Sequence, residues 1–512
     1  MIFNKGSEKD RPSNKETEDK DFGTLARSLE ANVETLKEIF KGDETLKLRK
    51  LRNRVLSETR FCALYFDGMV NTELVNENII QPIMNHPFAG GHSSLPLLEE
   101  LHNNVIVSNE VVKENKISSI INSLIRGHTV VLVNGYDHCL VVNSKVSLSR
   151  AITEPESSRL VRGPREGFTE AIMTNLSLIR KIINNQDLKM KFKEIGERTH
   201  TKVCVCYIEG LALEEILQEL DKRLDDITLD GILDSGYIQE MISDAPFSLF
   251  ETVGYSERPD VVAAKLLEGR VAIIVDGSPF VLTVPYVLIE GLQANEDYYS
   301  KYIYSTFYRL LRLVGVFLAM GLPAIYLSLA CFHQELLPTR LLISVSASRQ
   351  GVPFPTVITL SGMLLVFDVI REAGIRMPSP IGQAVNIVGT LVLGQAAVEA
   401  KLVSAPVVIV TALSGMLTML SPVTIGMVVL VRYLLIIAAS FLGIYGYIFG
   451  MILVVLHMLN LRSFGIPYVL GLTSVKNHNG QDIWVRAPWW SMTLRPKLIG
   501  AKNLVRQSRK NR

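Results

Sequence analysis

The sequence predicts an α/β soluble domain of two repeated subdomains, followed by an all-α polytopic membrane domain. Three observations predict this. The 512 residues divide sharply in composition, with the mixture of a water-soluble protein over residues 23 to about 300 and an almost wholly apolar stretch over 310–461. Segments of the soluble half recur at a fixed offset of 142 residues. The apolar half breaks into runs close to the roughly 20 residues that a helix needs to cross a bilayer.

Residues 1–22 are dense in both charge signs and poor in large apolar side chains, which predicts a disordered charged tail. The tail lacks the apolar core of a secretory signal, so the soluble half is expected on the cytoplasmic side. The first α/β subdomain is expected over 23–150, a linker with helices over 151–200, and the second subdomain over 201–292. The repeat pairs FCALYFDG (61–68) with VCVCYIEG (203–210), and IRGHTVVLVNGYDHCLVV (125–142) with LEGRVAIIVDGSPFVLTV (267–284), giving units of about 61–143 and 203–285. In each, a buried strand ends at an acidic-Gly turn, Asp67-Gly68 or Glu209-Gly210, and a helix follows. Later a helix stops at Gly127 or Gly269 and leads into a hairpin turned by Asn134-Gly135 or Asp276-Gly277. Between the units, VRGPREGF (161–168) offers Arg162 and Arg165 to an anion, or is a solvated loop.

The five cysteines suggest no disulfide framework. Cys62, Cys139, Cys204 and Cys206 sit in strand-like apolar runs and read as buried structural residues; Cys204-x-Cys206 lacks the further ligands of a zinc site. No phosphate-binding loop, nucleophile elbow or metalloprotease motif occurs, so no enzyme, metal or cofactor is expected. The net charge of +2 and pI near 8.1 give no reason to expect nucleic acid.

Residues 293–309 interleave tyrosines with Lys301 and Arg309, as an interfacial helix in the headgroup layer would. A first span is expected over 310–332, kinked at Pro323, with further apolar segments over 355–370, 381–400, 406–430 and 433–460. The run 407–459 is interrupted at Ser421-Pro422 and Arg432, leaving two or three spans open. The tail 462–512 carries ten Lys or Arg against one acid, Asp482, which predicts a cytoplasmic C-terminus. With both termini inside, the membrane domain over 310–461 requires four or six crossings. Trp489 and Trp490 beside Arg486 and Arg495 suit either the headgroup layer or a contact with the soluble domain.

Several long phrases carry a family likeness: FHQELLPTRLL (332–342), RQGVPFP (349–355), REAGIRMPSPIGQAVNIVGTLVLGQAAVEAKLVS (371–404), RAPWW (486–490) and PFSLFETVGYSERPDVVAAKLLEGRVAIIVDGSPFVLTVP (246–285). Together they resemble the GerA family of spore germination proteins, over about residues 50–500, and within it the A subunit of a germinant receptor. The resemblance implies a multi-pass protein of the bacterial spore inner membrane. It implies a complex with a transporter-like B subunit and a lipoprotein C subunit. It also implies self-association, as a pentamer, into a nutrient-gated cation channel. One departure stands out: Thr359 and Leu364 occupy positions where the family usually has acids, and Asp368 stands where it often has Glu.

Placed on a helix at 100° per residue, 381–400 sorts into three faces. Val388, Val392, Gln395 and Glu399 form one stripe, read as pore-lining, with the valines as an apolar constriction and the carboxylates as a ring attracting cations. Gln383, Asn386 and Thr390 lie opposite and are read as interhelical polar contacts, while Gly382, Gly389 and Ala396 form a ridge for close helix packing. The competing reading leaves Glu399 at the water interface beside Lys401. Function is thus expected to be that of a channel-forming germinant-receptor subunit or, alternatively, of a non-conducting scaffold whose soluble domain binds a ligand or partner. No inverted repeat of the secondary-transporter kind is visible in the membrane half.

Overall fold

The computed structural model describes residues 22–506 except 56–58, 89–95, 147–154, 156–159, 161, 378–391, 471–481, 483–484, 493, 496–498, 500–502 and 504. The charged tail over 1–21 lies outside the described residues.

The first unit comprises α1 (Leu29–Ile39), β1 (Leu46–Arg52) and β2 (Thr59–Phe66). A helical stretch follows, in which α2 (Thr72–Leu74) passes through a π turn (Val75–Ile80) into α3 (Gln81–Asn85). Then come α4 (Leu97–Glu100), β3 (Val111–Glu114), α5 (Ile117–Ile125), β4 (His128–Val133) and β5 (Cys139–Asn143). The second unit comprises α6 (Ile172–Ile182), β6 (Leu188–Ile195), β7 (Thr201–Ile208), α7 (Glu214–Asp225), α8 (Ser235–Ile242), β8 (Gly254–Ser256), α9 (Pro259–Leu267), β9 (Val271–Val275) and β10 (Val281–Val284). Each builds a five-stranded antiparallel sheet of the same topology, β1-β2-β4-β5-β3 and β6-β7-β9-β10-β8.

The repeat reaches further back than the sequence motifs indicated. β6 pairs with β7 as β1 pairs with β2, and the amide of Leu29 donates to Asn134 Oδ1 (3.2 Å) as that of Ile172 does to Asp276 Oδ1 (3.1 Å). The expected linker over 151–200 therefore gives way to α6 and β6, the first helix and strand of the second unit. β6 (LKMKFKEI) alternates apolar residues with Lys189, Lys191 and Lys193 at period 2, a strand signal the sequence did carry; the Lys189 side chain is drawn inward to the Ile39 carbonyl of the first unit (3.2 Å). The turn glycines Gly68, Gly127, Gly135, Gly210, Gly269 and Gly277 all have positive φ, which L-residues rarely adopt. At Gly127 a Cβ would also press on the Met69 carbonyl at 2.7 Å.

One face of the first sheet, with Cys62, Leu64 and Phe66, packs on α1 and α5, and the other packs on 75–106. In the second sheet Cys204 and Cys206 face α6 and α9. Burial pushes the Cys62 thiol to about 11 and the Cys139 thiol to about 12, so both stay protonated. The other face of the second sheet, with Val203 and Val205, is continuous through Tyr286, Ile289 and Leu292 with the core of the helical half. Across the units, Arg180 is fully buried against Asp43 and stacks on Phe66.

The C-terminal region is helical: α10 (Leu288–Leu292), α11 (Glu296–Tyr299), α12 (Tyr302–Cys331), α13 (Thr339–Arg349), α14 (Thr356–Arg376), α15 (392–399), α16 (Ala405–Thr418), α17 (Ile425–Leu442) and α18 (Ile444–Asn460). A small hairpin, β11 (Arg462–Ser463) with β12 (Ile466–Pro467), follows. The interfacial helix expected over 293–309 is divided: α11 takes Glu296–Tyr299, and from Tyr302 onward the residues belong to α12, which runs unbroken through Pro323 to Cys331, a length of about 45 Å at 1.5 Å per residue. Arg432 does not interrupt its helix: it is buried in mid-α17, and the chain breaks at Ser421-Pro422, as expected, and at Gly443, whose φ is +61°. Among the described residues two helices, Tyr302–Cys331 and Pro422–Leu442, are long and apolar enough to cross a membrane; α16 and α18 are shorter apolar helices.

Candidate functional site

Three places in the helical half gather polar chemistry where the sequence is otherwise apolar. The first is the joint between the second sheet and the helices. Arg270, at the start of β9, is paired with Glu290 of α10 and donates to the Pro285 carbonyl (2.7 Å), while Lys265 of α9 reaches Glu290 at 3.1 Å. Glu290 also accepts from the Val287 amide (2.9 Å). Burial pushes the Glu290 carboxyl up, but Arg270 and Lys265 outweigh burial and hold it below the usual glutamate range. Burial also lowers Lys265, against the pull of Glu290.

One turn further, Asp297 pairs with Arg312 and with Arg309 (3.3 Å), and Asp482 of the tail takes Arg309 at 2.9 Å and the Tyr298 hydroxyl at 2.7 Å. Arg309 is thus turned inward to acids, not outward to lipid headgroups as the interfacial reading expected. Arg486 lies over the rings of Tyr298 and Trp489 (6.0 and 5.3 Å), and Ser421, in the loop before α17, donates to the Gly291 carbonyl (2.7 Å). A cavity of about 400 Å³ opens here, with Asp260, Lys265, Glu290, Tyr299, Ser421 and Trp489 on its walls.

The second place lies among the apolar helices. Arg432 of α17 is fully buried and donates to Asp368 Oδ2 of α14 at 2.7 Å. The adjacent Tyr433 hydroxyl donates to the same oxygen at 2.9 Å, Arg371 approaches Oδ1 at 3.6 Å, and Arg432 also reaches Ser414 Oγ of α16 at 3.3 Å. Asp368 and Arg432 together thereby tie α14, α16 and α17 to one another. Thr359 and Leu364, at positions where acids were expected, are buried inside the same bundle. Sequence reasoning missed the pair; the available signal was Arg432, the single charge of its apolar helix, which needs a partner, and Asp368, the first charge after the apolar run of α14.

The third place is α15. Val392 is 53% exposed, and Gln395, Ala396 and Glu399 are exposed as well, whereas Gly394 is buried with Val408 of α16 3.6 Å from where its Cβ would stand. Val392, Gln395 and Glu399 therefore share the face that no other described part of the chain covers. Ala396 likewise is exposed, with no described helix of the chain covering it. Gly382, Gln383, Asn386, Val388, Gly389 and Thr390 lie outside the described residues. Arg162 and Arg165 are exposed. Among the described residues no cluster of acids, histidines or cysteines is arranged to hold a metal.

Comparison with known proteins adds a lineage. A family model described as "Bacillus/Clostridium GerA spore germination protein" matches residues 34–498. The chain is 37% identical over 493 residues to Spore germination protein KA of Bacillus subtilis (strain 168), covering 95% of this chain and 90% of that protein. It is 39% identical over 489 residues to Uncharacterized membrane protein YfkQ of the same organism, covering 94% and 93%. It is 36% identical over 458 residues to Spore germination protein A1, again of B. subtilis, covering 88% and 92%. Among solved structures it is similar, at 30% identity, to the N-terminal domain of the A subunit of the Bacillus megaterium spore germinant receptor GerK3. That match covers 51% of this chain and 96% of that one, with a TM-score of 0.41.

Proposed function

Because the chain belongs to the GerA family of Bacillus/Clostridium spore germination proteins, we propose that it is the A subunit of a nutrient germinant receptor and that copies of it surround a gated cation path. The relatives named as spore germination proteins support the germination role. The observation that carries the path is the face of α15 on which Val392, Gln395 and Glu399 are exposed, covered by none of the other described residues. In a ring of identical subunits that face supplies a carboxylate ring, which concentrates cations, above an apolar constriction, which blocks them when dry. The protein then works in the spore inner membrane with transporter-like B and lipoprotein C subunits, as a pentamer, with four or six crossings and both termini cytoplasmic. The Asp368–Arg432 pair holds α14 and α17 together beside α15, and the charged joint at Glu290 and Asp297 couples the soluble half to α12.

The test is Val392→Ala in spores. A widened constriction is expected to release monovalent cations and start germination without nutrient; normal ion retention and normal nutrient dependence in that variant remove Val392 from the gate. A second reading, a non-conducting scaffold that binds a ligand, is favoured by the cavity at the joint.

A further inference from the structure

The loop between α8 and β8 displays Phe247 with its side chain 100% exposed, and Leu249, two residues on, is 38% exposed. A bare ring usually sits on a floppy loop; this one is held from both sides. Ser248 Oγ bonds His457 Nε2 in the last turn of α18 (2.9 Å), and the Phe250 amide donates back to Ser248 Oγ (3.1 Å). Phe250 is buried against His457 and Tyr468. On the other side Asp244 accepts from Arg223 (2.8 Å) and from the Phe464 amide (2.9 Å). The loop is therefore fixed at the level where α18 ends.

The flank of α18 says what covers this ring. Leu453, Leu456 and Leu459 are about half exposed or more, and within the helix only Gly446 is buried. That apolar flank runs down to His457 and Asn460, beyond which Arg462 is exposed to water. Phe247 thus stands beside the end of an apolar surface, where aromatic rings collect at a membrane–water boundary. Electrostatic attraction to anionic lipid is not what holds it, since Glu240 and Glu251 line the groove behind the loop. A lone ring with one leucine is also far smaller than the patch of about 800 Å² per partner that a specific protein interface buries.

We infer that the 245–250 loop is a membrane wedge: Phe247 inserts at the headgroup–acyl boundary and fixes the second α/β unit against the bilayer surface. This rests on the reading that α18 lies in the bilayer. The test uses the full-length chain in vesicles of phosphatidylcholine and phosphatidylglycerol, with Phe247→Cys carrying an environment-sensitive fluorophore and the equally treated unsubstituted chain as blank. Leu456→Cys on α18 reports the bilayer, and Val112→Cys on β3, exposed on the first unit, reports water. The position-247 label is expected to emit blue-shifted light and to be quenched more by lipids spin-labelled near the glycerol end of the acyl chain than by those labelled near its tip. A position-247 label that behaves like Val112 while Leu456 is quenched overturns the wedge alone. A blue-shifted label that no lipid quenches overturns it in favour of cover by protein, a second copy or another subunit. Failure at both 247 and 456 overturns the placement of α18, and the wedge with it.

Discussion

At the scale of single residues, the buried charges make the sharpest predictions. Arg432→Ala strands the Asp368 carboxylate in an apolar bundle and is expected to cost about 3 kcal/mol or more, since breaking one side of a buried pair is far worse than removing both. The double variant Asp368→Leu with Arg432→Met should recover most of that loss, read as the melting temperature of the detergent-solubilised chain. Equal instability of the single and double variants would show that the pair has another role. Glu290 gives the pH prediction. Its folded carboxyl is held below the ordinary 4.5, so its contribution is present in full above that value and is lost as the pH falls through it toward the lower folded value. Glu290→Gln should therefore lower stability near neutrality and flatten its decline as the pH falls below the ordinary glutamate value; an unchanged acid limb would mean that Glu290 is not what links the joint to pH. None of these pairings was legible beforehand, because Asp368 and Arg432 are 64 residues apart and Arg309 and Asp482 173. Sequence shows that a charge is expensive in an apolar run, and folding alone shows which partner offsets the expense.

At the scale of elements, glycines set how closely the apolar helices meet. A Cβ on Gly446 would collide with the Ala438 carbonyl across the α17–α18 turn, whereas one on Gly426 meets nothing within 4 Å. Gly446→Ala is thus expected to destabilise by about 1–3 kcal/mol through overpacking, and Gly426→Ala to be neutral; thermal unfolding of the two variants side by side checks this. Legibility varied among the elements for physical reasons. β2 and β7 were readable because a strand buried on both faces is a continuous apolar run ended by a glycine turn. α6 and β6 were passed over although β6 alternates cleanly, because Arg180 and Lys189 look like surface charges until the first unit is seen to bury them, at Asp43 and at the Ile39 carbonyl. α12 was divided in two because its first turns carry charges, which look like a surface until Asp297 and Asp482 are seen to take them. α17 was expected to break at Arg432, where a buried partner keeps it whole.

At the scale of the whole molecule, the two units are alike in topology but not in role. The first unit closes its own core on both faces of its sheet, while the second shares its core with the helices through Tyr286, Ile289 and Leu292. The second unit is therefore joined to α12 and the loop at Ser421 by packed side chains and ion pairs rather than by a flexible tether. In α15, Val392, Gln395 and Glu399 remain exposed among the described residues. The most direct test of the account is cation flux across vesicles holding the assembled receptor, with this chain unaltered or carrying Glu399→Lys. The account predicts nutrient-triggered cation flux in the first case and its suppression in the second, where a ring of positive charge replaces the carboxylates. Absence of flux from the unaltered receptor under activating conditions, or flux indifferent to the charge at 399, would contradict it.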